Sequence, residues 1–311
     1  MEHPYMSEVD KELRRLLASG SPSLSPMIQH FLETKGKGVR PVLVLWCGDI
    51  AGSPMKRSID LAVAAELLHM ASLVHDDIVD QAAFRRKKPT IHRMWGEGAA
   101  VLVGDYFFGT LLRVISPYPM VVPHFAEAIL SLVNGEFMQM DQQYDPWISE
   151  EEYLNRICQK TANFMSTCCK IGCLTQDTPF EIMDALTNYG YCIGMAYQLL
   201  DDLQDIIETS EGLGKPIMQD ISRGIFTLPY LHSFWQESNR LPTFLKVNIV
   251  PSADSLEYTR KLAAHYIEKS VICLSSLPST NGQRGLLCIS RQIKKKLEQL
   301  QEVNAYAPTL D

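Results

Sequence analysis

The 311-residue chain has no excess of positive charge: 29 Lys and Arg stand against 36 Asp and Glu, a net charge of −7. No nucleic-acid partner is therefore expected. Its eight cysteines (Cys47, Cys158, Cys168, Cys169, Cys173, Cys192, Cys273 and Cys288) do not form the spaced doublets of a zinc site. Cys168, Cys169 and Cys173 make half a metal site at most, with no histidine or further cysteine near in sequence, and core packing accounts for them better. No charged segment followed by an apolar core opens the chain at Met1-Glu2-His3-Pro4, so no secretory signal is expected. The cysteines then read as buried thiols in a reducing cytosol. No uninterrupted apolar run reaches the length of a membrane span. Together these absences predict a soluble cytoplasmic protein without an integral membrane segment.

Strand-like alternation and Asn-Gly hairpins between strands are missing too, whereas helical periodicity runs through nearly every segment. The pattern predicts helices near 6–18, 25–34, 40–51, 56–80, 97–115, 121–142, 150–174, 178–208, 223–237, 254–275 and 282–303. The breaks fall at Gly20-Ser21-Pro22, Ser116-Pro117-Tyr118-Pro119, Pro242 to Pro251 and Pro278 to Gly282. None is long or polar enough for an interdomain linker, so a single all-α domain over 1–311 is expected, with a frayed tail from Val303.

What is present twice is an acidic set: Asp76-Asp77-Ile78-Val79-Asp80 and Asp201-Asp202-Leu203-Gln204-Asp205. Each places carboxylates at i, i+1 and i+4, so the outer two share one helix face a turn apart. With Asp at about a twentieth of residues, one such set arises by chance in roughly 4% of chains this long. An N-cap or a solvated acidic face is the plain alternative. Both sets instead end, or lie inside, an apolar stretch, where uncompensated carboxylates are costly. A magnesium ion sharing phosphate oxygens is the natural compensation.

Basic residues lie close by. Arg85-Arg86-Lys87-Lys88 follows the first set within one short loop, and Gly36-Lys37-Gly38-Val39-Arg40-Pro41 enters a helix with Lys37 and Arg40 on one side. His69 lies two turns before Asp76 on the same face. Alone it reads as a core histidine. Lys160-Thr161 sits mid-helix, and Lys215 lies in Gly212-Leu213-Gly214-Lys215-Pro216, which lacks the spacing of a Walker loop.

These motifs, in this order, resemble the trans-isoprenyl diphosphate synthase (polyprenyl synthetase) family. The resemblance covers about 36–231: Gly-Lys-x-x-Arg-Pro, Asp-Asp-x-x-Asp, Arg-Arg-x-x-Pro-Thr at 85–90, Gly-Asp at 104–105, Lys-Thr at 160–161, Gln-x-x-Asp-Asp-x-x-Asp from Gln198, Gly-Lys-Pro, and Thr227-Leu228-Pro229. It implies a helical bundle around a central cavity, usually dimeric, with the two acidic motifs facing each other at its mouth. It also implies magnesium-dependent head-to-tail condensation of an allylic diphosphate with isopentenyl diphosphate. By resemblance Asp76, Asp80 and Asp201 hold magnesium, with Asp77 and Asp205 as outer groups. Arg85, Lys160 and Lys215 contact the allylic diphosphate, and Lys37, Arg40, His69 and Arg86 hold isopentenyl diphosphate. Thr161, Gln198 and Tyr197 flank the allylic cation, and the departing diphosphate takes the proton.

Two departures stand out. Many members carry a lysine where this chain has Ile225, with Arg223 a substitute contact, and Gln81 replaces an often acidic neighbour. A class I terpene cyclase is the first rival, but cyclases generally lack a second intact acidic motif and an isopentenyl site. A non-catalytic subunit would typically have lost its aspartates. The catalytic chain of a two-component synthase with a small partner stays open. Short-chain relatives generally place an aromatic about one turn below the first motif, where this chain has Ala71 and Ser72, followed by Leu68, Ala64 and Leu61. A product longer than C20, and membrane-seeking, is expected, with Ile129 and Val133 as an alternative floor.

Overall fold

The computed structural model describes residues 3–18, 20–33, 36, 38–210, 221, 223–236 and 251–304, without the side chains of 207–210 and 301–304. Among them the protein is almost wholly helical: α1 (Met6–Leu17), α2 (Ser25–Leu32), α3 (Val39–Ile50), α4 (Met55–Val79), β1 (Phe84–Arg85), β2 (Lys88–Pro89), α5 (Ile91–Trp95), α6 (Glu97–Ile115), α7 (Val122–Asp141), α8 (Glu150–Ile157), α9 (Asn163–Cys173), α10 (Phe180–Ser210), α11 (Leu228–Gln236), α12 (Ala253–Leu274) and α13 (Asn281–Asn304). The chain divides into two compact units. One holds 1–129, 167–186 and 277–286; the other holds 130–166, 187–276 and 287–311.

In the first unit α4 is the core helix, packed against α1, α3 and α6. Leu61 to Leu68 of α4 are all buried, and each leucine among them contributes about 1.5–3 kcal/mol. Both α4 and α6 have the length and mean hydropathy of a membrane span, which a search for uninterrupted apolar runs misses because α4 carries Asp60 and Glu66. Most of α4 is buried inside the protein. Cys47, Cys168, Cys169 and Cys173 are buried here, where burial pushes the Cys168 thiol far above its ordinary value. In the second unit α11 packs on α12 and α8. A capping box starts α8, Ser149 Oγ accepting from Glu152 N while the Glu152 carboxylate accepts from Ser149 N.

Several local features depart from the expected helices, among them the short α5 in a stretch expected to hold none. A two-residue hairpin pairs Phe84 with Pro89 and Arg85 with Lys88 in a segment expected to lack strands. Its turn residues, Arg86 and Lys87, have φ of 49° and 66°, where Asn-Gly is the usual signal. The helix expected over 150–174 is interrupted by a π turn at Cys158–Ala162. The helix expected from 223 starts at Leu228, because Gly224 adopts φ 73° in a turn closed by its N–H on Ile221 O.

Candidate active site

The first acidic set ends α4. Asp76 and Asp80 are half-buried, whereas Asp77 turns inward and is buried. Its Oδ1 accepts from Arg85 Nε at 2.9 Å and lies 2.8 Å from Arg85 Nη2. Burial raises the Asp77 pKa, and Arg85 opposes that shift. The hairpin therefore does two things. It ties Arg85 to the middle aspartate, and it holds Arg86 at a turn position that L residues rarely adopt.

Arg86 lies over Gly36, where an added Cβ would stand 2.5 Å from its Nη2. Gly36, His69, Arg85 and Arg86 border a cavity of about 10 Å³, room for one water at most, floored by Met70 and Leu73. Burial holds the His69 pKa well below its ordinary value, reinforced by the positive charges of Arg40, Arg85 and Arg86. His69 is thus a neutral group under the influence of three arginines, in a cavity that Glu66 also lines. Lys37 lies outside the described residues.

A pH dependence follows. The unfolded chain takes up a proton at His69 near pH 6.5 and the folded protein does not, so this contribution is complete above that pH and is lost as pH falls. Urea unfolding from pH 7 to 5 should show the wild type losing more stability than His69→Gln, the gap growing towards about 1.4 kcal/mol per pH unit. Parallel losses would contradict the depressed pKa.

On the same helix Ala71 and Leu68 are fully buried, and Ser72 is half-buried with its hydroxyl donating to His69 O at 3.0 Å. Of the alternative floor residues, Ile129 is half-buried and Val133 is 46% exposed.

The second set lies on α10 and repeats the arrangement. Asp201 and Asp205 are exposed, and Asp202 is buried. The Tyr153 hydroxyl donates to Asp202 Oδ2, and Gln198 Nε2 donates to Oδ1 at 2.9 Å. Burial pushes the Asp202 pKa up to about 6, opposed by these two donors. Thr161 donates to Gln198 Oε1 at 2.8 Å, while Tyr197 is half-buried beside Gln198.

Lys160 and Thr161 sit in the π turn, and glycines let two helices close on it. A Cβ at Gly135 of α7 would lie 2.8 Å from Lys160 N, and one at Gly194 of α10 would lie 2.5 Å from Ala162 Cα. Ser131 Oγ donates to Gln159 O at 2.9 Å, satisfying a backbone carbonyl in the turn. Lys160 Nζ is 2.7 Å from Glu136 Oε1 and donates to Gln139 Oε1 at 2.9 Å. Arg156 stacks on Tyr153 and donates to Gln142 Oε1 and Phe226 O. Ile225, at the position of the missing lysine, is buried; Arg223 is half-buried; Lys215 lies outside the described residues.

A profile described as polyprenyl synthetase matches residues 21–264. The chain belongs to the polyprenyl synthetase family. It is 33% identical over 296 residues to heptaprenyl diphosphate synthase component 2 of Geobacillus stearothermophilus, covering 91% of this chain and 92% of that one. The crystal structure of heptaprenyl diphosphate synthase from Staphylococcus aureus matches with a TM-score of 0.87 at 27% identity, covering 93% of this chain and 96% of that one. Polyprenyl synthase from Caulobacter crescentus, complexed with calcium and isoprenyl diphosphate, matches with a TM-score of 0.85 at 26% identity, covering 93% of each. This polyprenyl synthetase is accordingly a prenyltransferase of the all-α isoprenyl diphosphate synthase fold.

Sequence reasoning left several residues of this polyprenyl synthetase without a role. Tyr153 on α8 holds Asp202, and Glu136 and Gln139 on α7 hold Lys160, while Ser131 and Arg156 bond the backbone carbonyls of Gln159 and Phe226. Their partners lie far along the chain, and the Ser149-x-x-Glu152 box was the one local sign that α8 begins where it does.

Proposed function

We propose that this polyprenyl synthetase catalyses magnesium-dependent head-to-tail condensation of an allylic diphosphate with isopentenyl diphosphate, giving an all-trans product longer than C20. One observation carries the reading. Each acidic set buries its middle aspartate in internal hydrogen bonds and keeps its first and fifth at least partly open to solvent, and in the first set Arg85 is held at that buried aspartate. Among the described residues no three metal-ligand side chains converge, and a magnesium ion held by one or two carboxylates with diphosphate oxygens and water needs no such triad. Asp76, Asp80 and Asp201 are the proposed ligands, with Asp77 and Asp205 outside them. Bound magnesium would neutralise the leaving diphosphate. Arg85, Lys160 and Lys215 bind the allylic diphosphate, and Lys37, Arg40, His69 and Arg86 bind isopentenyl diphosphate. Thr161, Gln198 and Tyr197 face the allylic cation, the ring by cation–π attraction. Apolar walls exclude water, which would otherwise capture the cation.

We infer a cytoplasmic homodimer. The exposed apolar residues Val101, Leu102 and Leu112 on α6, and Leu130, Val133, Phe137 and Met140 on α7, support association of copies. A second reading makes this chain the catalytic member of a two-component synthase with a small partner; its similarity to proteins named component 2 favours that.

The basic groups separate the two substrates. Arg86→Ala should raise KM for isopentenyl diphosphate more than for the allylic substrate, and Lys160→Ala the reverse. Each lost charge-assisted contact costs about 1.5–3 kcal/mol, roughly ten- to a hundredfold. Equal effects on both substrates would refute these roles. Consumption of the allylic diphosphate without isopentenyl diphosphate, to a hydrocarbon, would indicate a cyclase.

A further inference from the structure

The middle aspartate of the second set has no role in the scheme above, yet it is buried within reach of groups assigned to the reacting carbon. Asp202 Oδ2 accepts from the Tyr153 hydroxyl, and Oδ1 accepts from Gln198 Nε2 at 2.9 Å. The other end of the amide, Gln198 Oε1, accepts from Thr161 Oγ1 at 2.8 Å. An ionised carboxylate only accepts, whereas an amide donates through nitrogen and accepts through oxygen. Asp202 thereby leaves the Gln198 amide one orientation, nitrogen towards Asp202 and oxygen towards Thr161. We propose that Asp202 is a positioning residue that sets the polarity of the Gln198 amide, so that its oxygen serves the allylic cation.

This rests on the reading that Gln198 and Thr161 flank the cation. The oxygen end of an amide dipole stabilises positive charge developing at carbon, and the NH2 end opposes it. Because the dipole is fixed before ionisation, no reorganisation is needed as the bond breaks. Tyr153 makes the arrangement directional. Its hydroxyl donates to one side of the carboxylate, leaving the other for the amide nitrogen. Thr161 is held in turn by the π turn, which Gly135 and Gly194 allow α7 and α10 to approach closely.

Asp202→Asn keeps the shape and reverses the logic. The Tyr153 hydroxyl selects the asparagine oxygen, the asparagine nitrogen faces residue 198, and the glutamine turns its NH2 towards Thr161. Turnover should fall about a hundredfold, with KM for both substrates within about twofold of wild type. Adding Gln198→Glu restores an acceptor, one glutamate oxygen taking the asparagine nitrogen and the other the Thr161 hydroxyl. The double variant should recover at least tenfold over Asp202→Asn, whereas Gln198→Glu alone sets two carboxylates together and should be impaired. Wild-type turnover in Asp202→Asn, or no recovery in a folded double variant, overturns the proposal. Magnesium dependence gives a separate readout: positioning leaves the half-maximal concentration of Asp202→Asn unchanged, and a tenfold rise would make Asp202 a metal group. If the wild type makes no prenyl product, the functional reading itself fails; if it does, these outcomes bear on Asp202 alone.

Discussion

Asp76→Ala and Asp201→Ala are each expected to remove nearly all condensation while the protein stays folded. Both aspartates reach solvent, unlike Asp77 and Asp202, which are committed to Arg85 and to Tyr153 and Gln198. Losing one proposed ligand leaves the leaving diphosphate under-neutralised as the carbon–oxygen bond breaks, so the loss falls on turnover. Stability should move the other way. Asp76 and Asp80 are like charges at i and i+4, a spacing that destabilises a helix by about 0.2–0.5 kcal/mol. Without magnesium Asp76→Ala should therefore melt at or slightly above wild type. Thermal unfolding by circular dichroism, with turnover at saturating magnesium, checks both halves. Retention of most wild-type turnover in either variant would sink the metal assignment.

Ala71→Phe is expected to change what the enzyme makes rather than whether it works. Ala71 lies on α4 about one turn before Asp76, and neither it nor Ser72 presents bulk. A phenylalanine there should cap the growing chain at fifteen or twenty carbons and leave the first condensation nearly intact. Ala71 is fully buried, so the ring also strains its surroundings by about 1–3 kcal/mol. A lower melting temperature with a shortened product is the expected combination. An unchanged product distribution would show that the tail does not pass this residue.

The long helices were legible in the sequence because their apolar periodicity is local: α1, α4, α6 and α7 lie within a residue of where it places them. The acidic sets were legible for the same reason, since i and i+4 on a helix suffice to pair two carboxylates. The hairpin at Phe84–Pro89 was not. Its strands are too short to alternate, and its turn uses Arg86 and Lys87 in place of glycine or asparagine. The π turn was hidden because what permits it lies elsewhere, in Gly135, Gly194 and the Ser131 hydroxyl. Motif spacing also treats the three aspartates of a set alike. Burial in the fold divides them: Asp77 is buried against Arg85 and Asp202 against Tyr153 and Gln198, while the outer aspartates are half-buried or exposed. Glu136 and Gln139, which hold Lys160, carry no local signal because their partner lies on a different helical segment.

The most direct test of the account is the product of the purified protein. With magnesium, farnesyl diphosphate and isopentenyl diphosphate, followed by dephosphorylation and sizing, the account predicts all-trans prenyl alcohols longer than twenty carbons, formed only when both diphosphates and the metal are present. A product that stops at fifteen or twenty carbons would contradict the proposal that the growing tail passes the small side chains of Ala71 and Ser72. A cyclic hydrocarbon made without isopentenyl diphosphate would contradict condensation itself.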